Sequence, residues 1–317
     1  MSQARRAVSI IASMRTEIDR QLPLREEIFL DHVGHFVRDP RAAAQALRRI
    51  GFLPTPTSVQ VNQDAGGGET LTGTGNITAM FHRGYIEALF KTADTPLGRE
   101  LESAIARYPG VHLAAFSVSD AAAAHCRLKA SGFRVRPLVA MKRPVATAAG
   151  PDIAAFTVAR VEPGEMAEGR IQILTHQTEQ TVWQPRWLDH PNGATALTDL
   201  VVVTSDVGEA AHRFSRFLER PASENYWGRL VKLDRGCVQL VTPAMLTEIA
   251  PGLEIPSLPF IALYAVVVKS LNILEHHLRH GNAEFLRRTE SIVARYPEQL
   301  GTGGWLFTEQ ALALPWR

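Results

Sequence analysis

The stretch LDHVGHFV at residues 30–37 is followed almost at once by Asp39 and Pro40, and then by the alanine-rich stretch RAAAQALRRI at residues 41–50. The first stretch has the length and apolar content of a buried β-strand. Aspartate is a favoured N-cap residue and proline is favoured at the first helical position, so residues 41–50 are predicted to form a helix that ends at Gly51. This part of the chain therefore predicts a strand that runs directly into a helix.

The same strand-then-helix pattern occurs four times. The other three predicted strands begin at residues 111, 197 and 260, and each is followed by a helical segment. The gaps between the units are long enough for three more strands each. In the first gap, for example, two short β-favouring runs at residues 75–81 and 85–90 are divided by a turn signal at residues 82–84. The chain is therefore predicted to contain four βαβββ modules and to have an α+β fold.

Four modules pair naturally into two domains. A polar segment at residues 181–195 separates the second module from the third and is the predicted junction. We predict an N-terminal helix over residues 1–27, a first domain over residues 28–180 and a second domain over residues 195–317. The two domains would then each contain two modules.

Composition argues against several classes of protein. Lys and Arg number 34 against 32 Asp and Glu, for a net charge of +2, and no region collects the basic residues, so nucleic acid is not an expected partner. The longest apolar runs are about half the length needed to span a bilayer, so no membrane association is expected. The two cysteines are far apart and form no C-x-x-C pair. This pattern argues against a zinc finger and favours a reducing, cytoplasmic location.

Four short segments occur in a recognisable order along the chain: LDHVGHFV with Asp39, GYIEAL at residues 84–89, GVHL at residues 110–113 and HPNG at residues 190–193. In this order they resemble the glyoxalase-like domain proteins of the vicinal oxygen chelate superfamily. The resemblance covers residues 28–240 well and the last module by its pattern alone. It implies that each pair of modules folds into a cup-shaped half-barrel, so the chain would form two such cups.

In that superfamily, the first and last strands of a module carry metal ligands into the cup. The resemblance therefore implies four ligands: His32, Glu87, His112 and Gln172. The two histidines are taken to hold equivalent places in modules one and two. Two imidazoles, a carboxylate and an amide oxygen suit a divalent ion such as Fe(II), Mn(II), Ni(II), Co(II) or Zn(II).

The fourth ligand position is an amide, whereas many members of the superfamily have a carboxylate there. Glu87 is therefore the candidate catalytic base, with His176 as a second candidate. Strand alternation supports this choice, because it places Tyr85, Glu87 and Leu89 on one face of their strand and Arg170, Gln172, Leu174 and His176 on the equivalent face of another.

Modules three and four lack the corresponding ligands. The positions equivalent to His32, Glu87 and His112 are Asp199, Gln239 and Ala262. The second domain is therefore predicted to be structural, either covering the first cup or mediating dimer contacts.

The leading functional prediction is a metal-dependent enzyme that acts on a small organic substrate with vicinal oxygens. Lyase or isomerase chemistry, ring cleavage by a dioxygenase and hydrolysis all stay open. The alternative is a non-catalytic protein that sequesters a small molecule, of the bleomycin-resistance type. A third option is a regulatory or scaffolding protein whose C-terminal half pairs two copies into a homodimer.

Overall fold

The structure is a computed structural model that describes residues 19–63 and 68–317. The predicted helix over residues 1–27 lies for the most part outside these ranges. Residues 19–28, which are described, contain bends and turns and no helix.

The helices are Pro40–Arg49 (α1), Pro96–Arg107 (α2), Ala121–Ala130 (α3), Glu179–Val182 (α4), Val207–Leu218 (α5), Pro243–Ile249 (α6) and Leu271–His280 (α7). The strands of the first half are Phe29–Phe36 (β1), Ser58–Gln63 (β2), Glu69–Met80 (β3), Tyr85–Lys91 (β4), Gly110–Ser117 (β5), Val139–Thr147 (β6), Gly150–Arg160 (β7) and Arg170–His176 (β8). Those of the second half are Ala194–Val203 (β9), Ala222–Asn225 (β10), Gly228–Lys232 (β11), Cys237–Val241 (β12), Phe260–Val268 (β13), Phe285–Arg287 (β14), Ser291–Arg295 (β15) and Gly304–Thr308 (β16).

The elements confirm the prediction of four βαβββ modules. In each module the first strand pairs in parallel with the last, and the remaining two strands extend the sheet outward. The N-cap predicted at Asp39 is present, and Asp120 and Asp206 hold the same place in the second and third modules. The side chains of Asp39 and Asp120 each accept two backbone N–H groups at the start of α1 and α3, and Asp206 accepts one at the start of α5. Local sequence signals therefore mark where the helix begins in each of the first three modules.

The first two modules close into a barrel. Its strand order is β1-β4-β3-β2-β6-β7-β8-β5, and it is closed by antiparallel pairing of β1 with β5 on one side and of β2 with β6 on the other. Modules three and four are joined in the same way, by β9 and β13. Their outer strands β10 and β14 do not meet, so these modules form an open eight-stranded sheet.

The barrel and the open sheet share one hydrophobic core. At their contact, the ring of Phe52 lies 5.9 Å from Trp305 and 6.5 Å from Phe307. His35 lies on the outer face of β1, as strand alternation predicts, and its imidazole reaches the second half of the chain. Within the described ranges, no helix is long and apolar enough to cross a membrane.

His35 joins the two halves through a buried hydrogen-bond chain. Trp305 Nε1 donates to Tyr264 Oη at 2.6 Å, the Tyr264 hydroxyl donates to His35 Nε2 at 2.8 Å, and His35 Nδ1 donates to the Leu300 carbonyl at 2.9 Å. This chain needs a neutral imidazole with its proton on Nδ1. Burial lowers the pKa of His35 to about 4, although its hydrogen bond to Leu300 opposes this shift.

We expect His35 to make folding stability pH-dependent. Its folded pKa lies below the ordinary value, so between about pH 6.5 and 4 the unfolded chain binds more protons and stability falls as the pH is lowered. Urea unfolding measured across this range should show a shallower slope for His35→Gln, by about one proton. The matched control is His276→Gln on the exposed face of α7, which should leave the slope unchanged. Equal slopes for wild type and His35→Gln would contradict the assignment.

Candidate functional site

All eight strands of the barrel contribute side chains to a small interior space, the barrel cavity. It is lined by His32, Gln60, Asn76, Tyr85, Glu87, Leu89, Leu113, Met141, Arg143, Phe156, Arg160, Arg170, Gln172 and Leu174. Its volume of about 20 Å³ has room for one water-sized species. Six of the seven residues that strand alternation predicts for this face line the cavity, namely Tyr85, Glu87, Leu89, Arg170, Gln172 and Leu174, whereas His176 does not. The barrel therefore concentrates polar and charged groups at one buried place.

A β-bulge in β1 places Asp31 beside His32. The pairing of β1 with β5 shifts register between Leu30 and His32, which leaves Asp31 as the extra residue. Its carboxylate accepts a hydrogen bond from His32 Nδ1 at 2.7 Å and another from His176 Nε2 at 2.9 Å. Burial raises the pKa of Asp31, but the charge of His176 and the two hydrogen bonds outweigh it, and the pKa lies well below its ordinary value. Asp31 is therefore a buried carboxylate anion.

The hydrogen bond to Asp31 fixes the orientation of the His32 ring. Since Nδ1 is bound to Asp31, Nε2 is the ring nitrogen that faces the barrel cavity. This nitrogen lies 3.6 Å from Glu87 Oε2, beyond hydrogen-bond distance. The ring also stacks on Tyr85, with 4.3 Å between centroids. His32 Nε2 and Glu87 Oε2 thus face each other at the barrel cavity.

Amide side chains hold the other oxygen of Glu87. Asn76 Nδ2 donates to Glu87 Oε1 at 2.5 Å and Gln60 Nε2 donates to the same atom at 3.3 Å. The oxygen of the Asn76 amide is buried and has no hydrogen-bond partner. Such an orphaned acceptor inside a polar cavity points to a missing donor or cation. His32, Glu87 and Asn76 all line the barrel cavity, and their imidazole nitrogen, carboxylate oxygens and amide oxygen are donor types that suit a divalent ion.

The carboxylate behind His32 fits the same interpretation. Histidines that bind a metal through one ring nitrogen usually donate the other N–H to a carboxylate or carbonyl, which orients the ring. Asp31 is in this position. The fit has a limit, because the described part of the chain contains no group of three His, Cys, Asp or Glu placed to hold a metal ion. A metal here would depend on amide oxygens for its further protein ligands.

Gln172 does not offer a free oxygen. It lies in the barrel cavity, as predicted, but Arg160 stands directly opposite it on β7 and donates from Nε to Gln172 Oε1 at 3.0 Å.

His112 lies apart from the other three predicted ligands. It lines a separate cleft at the side of the barrel and donates from Nε2 to the Tyr108 carbonyl at 2.6 Å. Its ring stacks on Tyr108, with 4.0 Å between centroids. Burial lowers its pKa to about 4, so the imidazole is neutral at pH 7.

The placement of His112 has a simple cause. When modules one and two are superposed on their N-caps Asp39 and Asp120, the residue equivalent to His32 is Leu113. His112 is equivalent to Asp31 instead, and it too is the extra residue of a register shift in the β1–β5 pairing. The equivalence of the two histidines was therefore wrong by one residue, and such a slip changes the direction of a strand side chain.

His176 lies behind the cavity. Its ring packs against Phe156 and Trp183, its Nε2 donates to Asp31, and its Nδ1 is buried without a partner. It reaches His32 through Asp31 only. This arrangement makes His176 a positioning residue for the His32 imidazole and leaves Glu87 as the carboxylate at the cavity itself.

The comparison with protein families supports this architecture. The glyoxalase-like domain family matches residues 30–218, which is more than half of the chain. The chain belongs to the glyoxalase-like domain family. It is thereby a member of the vicinal oxygen chelate superfamily, as the four sequence segments indicated. No functionally curated protein matches the chain.

Solved structures share the fold of this glyoxalase-like protein at low sequence identity. A hypothetical protein from Staphylococcus aureus is 10% identical and superposes with a TM-score of 0.59 over 88% of this chain and 98% of its own. A mutant 4-hydroxymandelate synthase from Streptomyces coelicolor is 15% identical, with a TM-score of 0.52 over 89% and 92%. An Mn(II)-bound glyoxalase from Novosphingobium aromaticivorans is 14% identical, with a TM-score of 0.50 over 89% and 81%. At these identities the likeness shows the fold alone.

Sequence reasoning missed several residues of the glyoxalase-like site. None of the recognised sequence segments contains Gln60, Asn76, Arg143 or Arg160. The closed barrel alone brings these side chains to the cavity that His32 and Glu87 line. Asp31 had a signal, since it precedes His32 in the quoted segment, but its contact with His176 required the closed barrel.

The open sheet of the glyoxalase-like chain uses its Asp199 differently. Trp316 Nε1 donates to the Asp199 carboxylate at 2.8 Å and Arg317 Nε donates to it at 3.0 Å. Gln239 bonds with Asn225 at 2.8 Å. Both polar groups are thus held by other protein side chains, consistent with the predicted structural role of this half.

We expect Asp31→Asn to disturb the ring of His32. An amide offers one acceptor oxygen where the carboxylate offers two, so one imidazole loses its partner or changes tautomer. Unfolding in urea should show a loss of about 1–3 kcal/mol. Nitrogen NMR of the histidine rings should report a changed tautomer for His32 or His176. The matched control is Asp120→Asn, which keeps an effective N-cap and should change stability by less than about 0.5 kcal/mol. An unchanged imidazole spectrum in Asp31→Asn would contradict this prediction.

Proposed function

We propose that the protein is a metal-dependent enzyme that acts on a small organic substrate through adjacent oxygen atoms. The observation that carries the proposal is the approach of His32 Nε2 to Glu87 Oε2, which face each other at 3.6 Å inside the barrel. A bound divalent ion such as Mn(II) or Fe(II) would supply Lewis-acid polarisation of the substrate oxygens. Its protein ligands are proposed to be His32, Glu87 and Asn76.

The residues around the cavity have separate tasks in this proposal. Asp31 holds the His32 ring with its lone pair toward the cavity, and His176 holds Asp31. Gln60 and Asn76 donate to Glu87 Oε1, so Oε2 is the oxygen that takes up or returns a proton. Burial of Tyr85 raises its pKa well above the ordinary value, and the nearby charges of Asp31 and Glu87 add to this, so its phenol stays protonated.

A second candidate function is sequestration of a small molecule without chemistry. The lack of a group of three His, Cys, Asp or Glu placed to hold a metal ion, within the described ranges, favours it. Metal binding separates the two candidates. If metal binds, oxygen uptake then separates ring cleavage from lyase, isomerase or hydrolase chemistry, because only ring cleavage consumes O₂.

We expect near-stoichiometric metal on protein purified without a histidine tag, stripped with a chelator and incubated with Mn(II), Fe(II), Ni(II), Co(II) or Zn(II). Metal content by plasma mass spectrometry and affinity by calorimetry are the measurements. His32→Ala and Glu87→Gln should each weaken binding by more than the roughly 10–100-fold that loss of a residue outside the coordination sphere causes.

His112→Ala is the matched control for the metal experiment. Since His112 lies outside the barrel cavity, its loss should leave metal affinity unchanged. An equal loss in His112→Ala would favour the ligand set that the family resemblance implies. If the wild-type protein takes up none of the five metals, the metal-dependent enzyme is refuted and sequestration is the candidate function that stands.

A further inference from the structure

A large cleft adjoins the barrel cavity and shares two arginines with it. This arginine cleft has a volume of about 540 Å³ and is lined by residues that include Arg99, Arg136, Arg160, Arg170, Glu100 and Glu162. Such a volume lies within the usual range for small-molecule sites. Arg160 and Arg170 also line the barrel cavity. They therefore stand between the open cleft and the pair His32 and Glu87.

The carboxylates of the cleft are already used. Arg136 contacts Glu100 at 2.6 Å and Glu162 at 3.2 Å, and Arg170 lies 3.9 Å from the other oxygen of Glu100. Arg99 pairs with Asp94 at 3.0 Å. These pairs account for three of the four arginines, and Arg160 is left without a carboxylate.

Arg160 is 9% exposed, and among the described residues no carboxylate lies within ion-pair distance of it. Its Nε bonds to the neutral amide of Gln172. Burial lowers its pKa to about 9, the charges of Arg170 and Arg136 add to this, and the charges of Glu100 and Glu87 oppose it; the guanidinium is still charged at pH 7. Buried charges in proteins are normally paired, because an isolated charge is costly to remove from water.

Glu87 does not supply the missing partner. It faces the same cavity, but Oε1 accepts from Asn76 and Gln60 and Oε2 lies toward His32. A second buried guanidinium, Arg143, also lines the cavity. The charge of Glu87 acts on Arg143 as well, so this one carboxylate is shared by more than one arginine. Positive charge therefore exceeds negative charge where the cleft meets the barrel.

We infer that the arginine cleft binds an organic anion, whose carboxylate or phosphate pairs with Arg160 while its carbon skeleton lies in the cleft. Apolar side chains of Phe36, Met166 and Ile171 line the same cleft and suit an organic body. Arg170 is held over the Phe36 ring at 5.1 Å, so it is ordered beside the proposed anion. This inference deepens the proposed function, on which it rests for its substrate, since an anion at Arg160 would lie next to His32 and Glu87.

Benzoate and its neutral isostere benzamide are suitable probes, with inorganic phosphate as a third. The full chain, stripped of metal, is titrated at constant ionic strength and followed by NMR, including the arginine Nε–H signals. Wild type should bind benzoate or phosphate saturably and benzamide at least tenfold more weakly, since charge-assisted bonds are the stronger ones. Stronger binding of benzoate than of phosphate would identify a carboxylate ligand, and the reverse order a phosphate.

Arg160→Gln should weaken anion binding at least tenfold, and Arg160→Lys should restore part of it, because lysine keeps the charge but not the planar geometry. Arg134→Gln is the matched control, since Arg134 pairs with Glu165 at 2.6 Å and lies outside the lining of the cleft, and it should bind as wild type does. Thermal unfolding without ligand shows that each variant is folded. Equal anion affinity in wild type and Arg160→Gln, or no saturable binding of either anion to wild type, would overturn the inference.

The same proteins separate this inference from the proposed function. Arg160→Gln should keep the metal affinity of wild type, and the double variant His32→Ala, Glu87→Gln should keep its anion affinity. Anion binding that depends on Arg160 in a protein that takes up no metal would support the cleft and refute the metal enzyme. Metal binding without anion binding would support the metal enzyme and refute the anion site in the cleft.

Discussion

The antiparallel pairing of β1 with β5 is the constraint on which the rest of the site depends. It joins the two modules of the barrel, and it contains two register shifts, one at Asp31 and one at His112. A bulge adds one residue to a strand and turns the side chains around it. In β1 this places Asp31 and His32 together at the barrel interior, and in β5 it directs His112 to the arginine cleft. The two modules of the barrel share one architecture, and the bulges thereby give them different side chains at the cavity.

Barrel closure is the second determinant. The same strand order occurs in both halves of the chain, but β2 and β6 pair while β10 and β14 stay apart. In the closed half, all eight strands direct side chains into one cavity, and the polar groups there are shielded from water. The open half buries its central strands against the barrel and holds Asp199 with Trp316 and Arg317. One half can therefore host a reactive site while the other contributes packing.

The buried charges give the barrel its chemical character. Two carboxyl groups, those of Asp31 and Glu87, accept hydrogen bonds from imidazole and amide donors, whereas Arg143 and Arg160 have no carboxylate within ion-pair distance among the described residues. The proposed metal ligands and the proposed anion site therefore lie side by side. A metal ion at His32 and Glu87 and an anion at Arg160 would attract each other, because they carry opposite charges. This is the arrangement expected for a substrate that carries both a chelating oxygen and a negative charge.

The sequence by itself determined the modules. Strand length, the aspartate N-caps and the stop at Gly51 are local signals, and they act through hydrogen bonds and backbone preferences that need no distant partner. His32 and Glu87 could also be identified as candidate residues from the sequence, since each lies in a short recognisable segment. Tertiary structure alone decided which side chains meet. His112 was misplaced because one residue of register separates two directions of a strand, and Arg160 was invisible because its partners come from other strands. Charge balance inside a barrel depends on every strand at once, so no segment of the chain can show it.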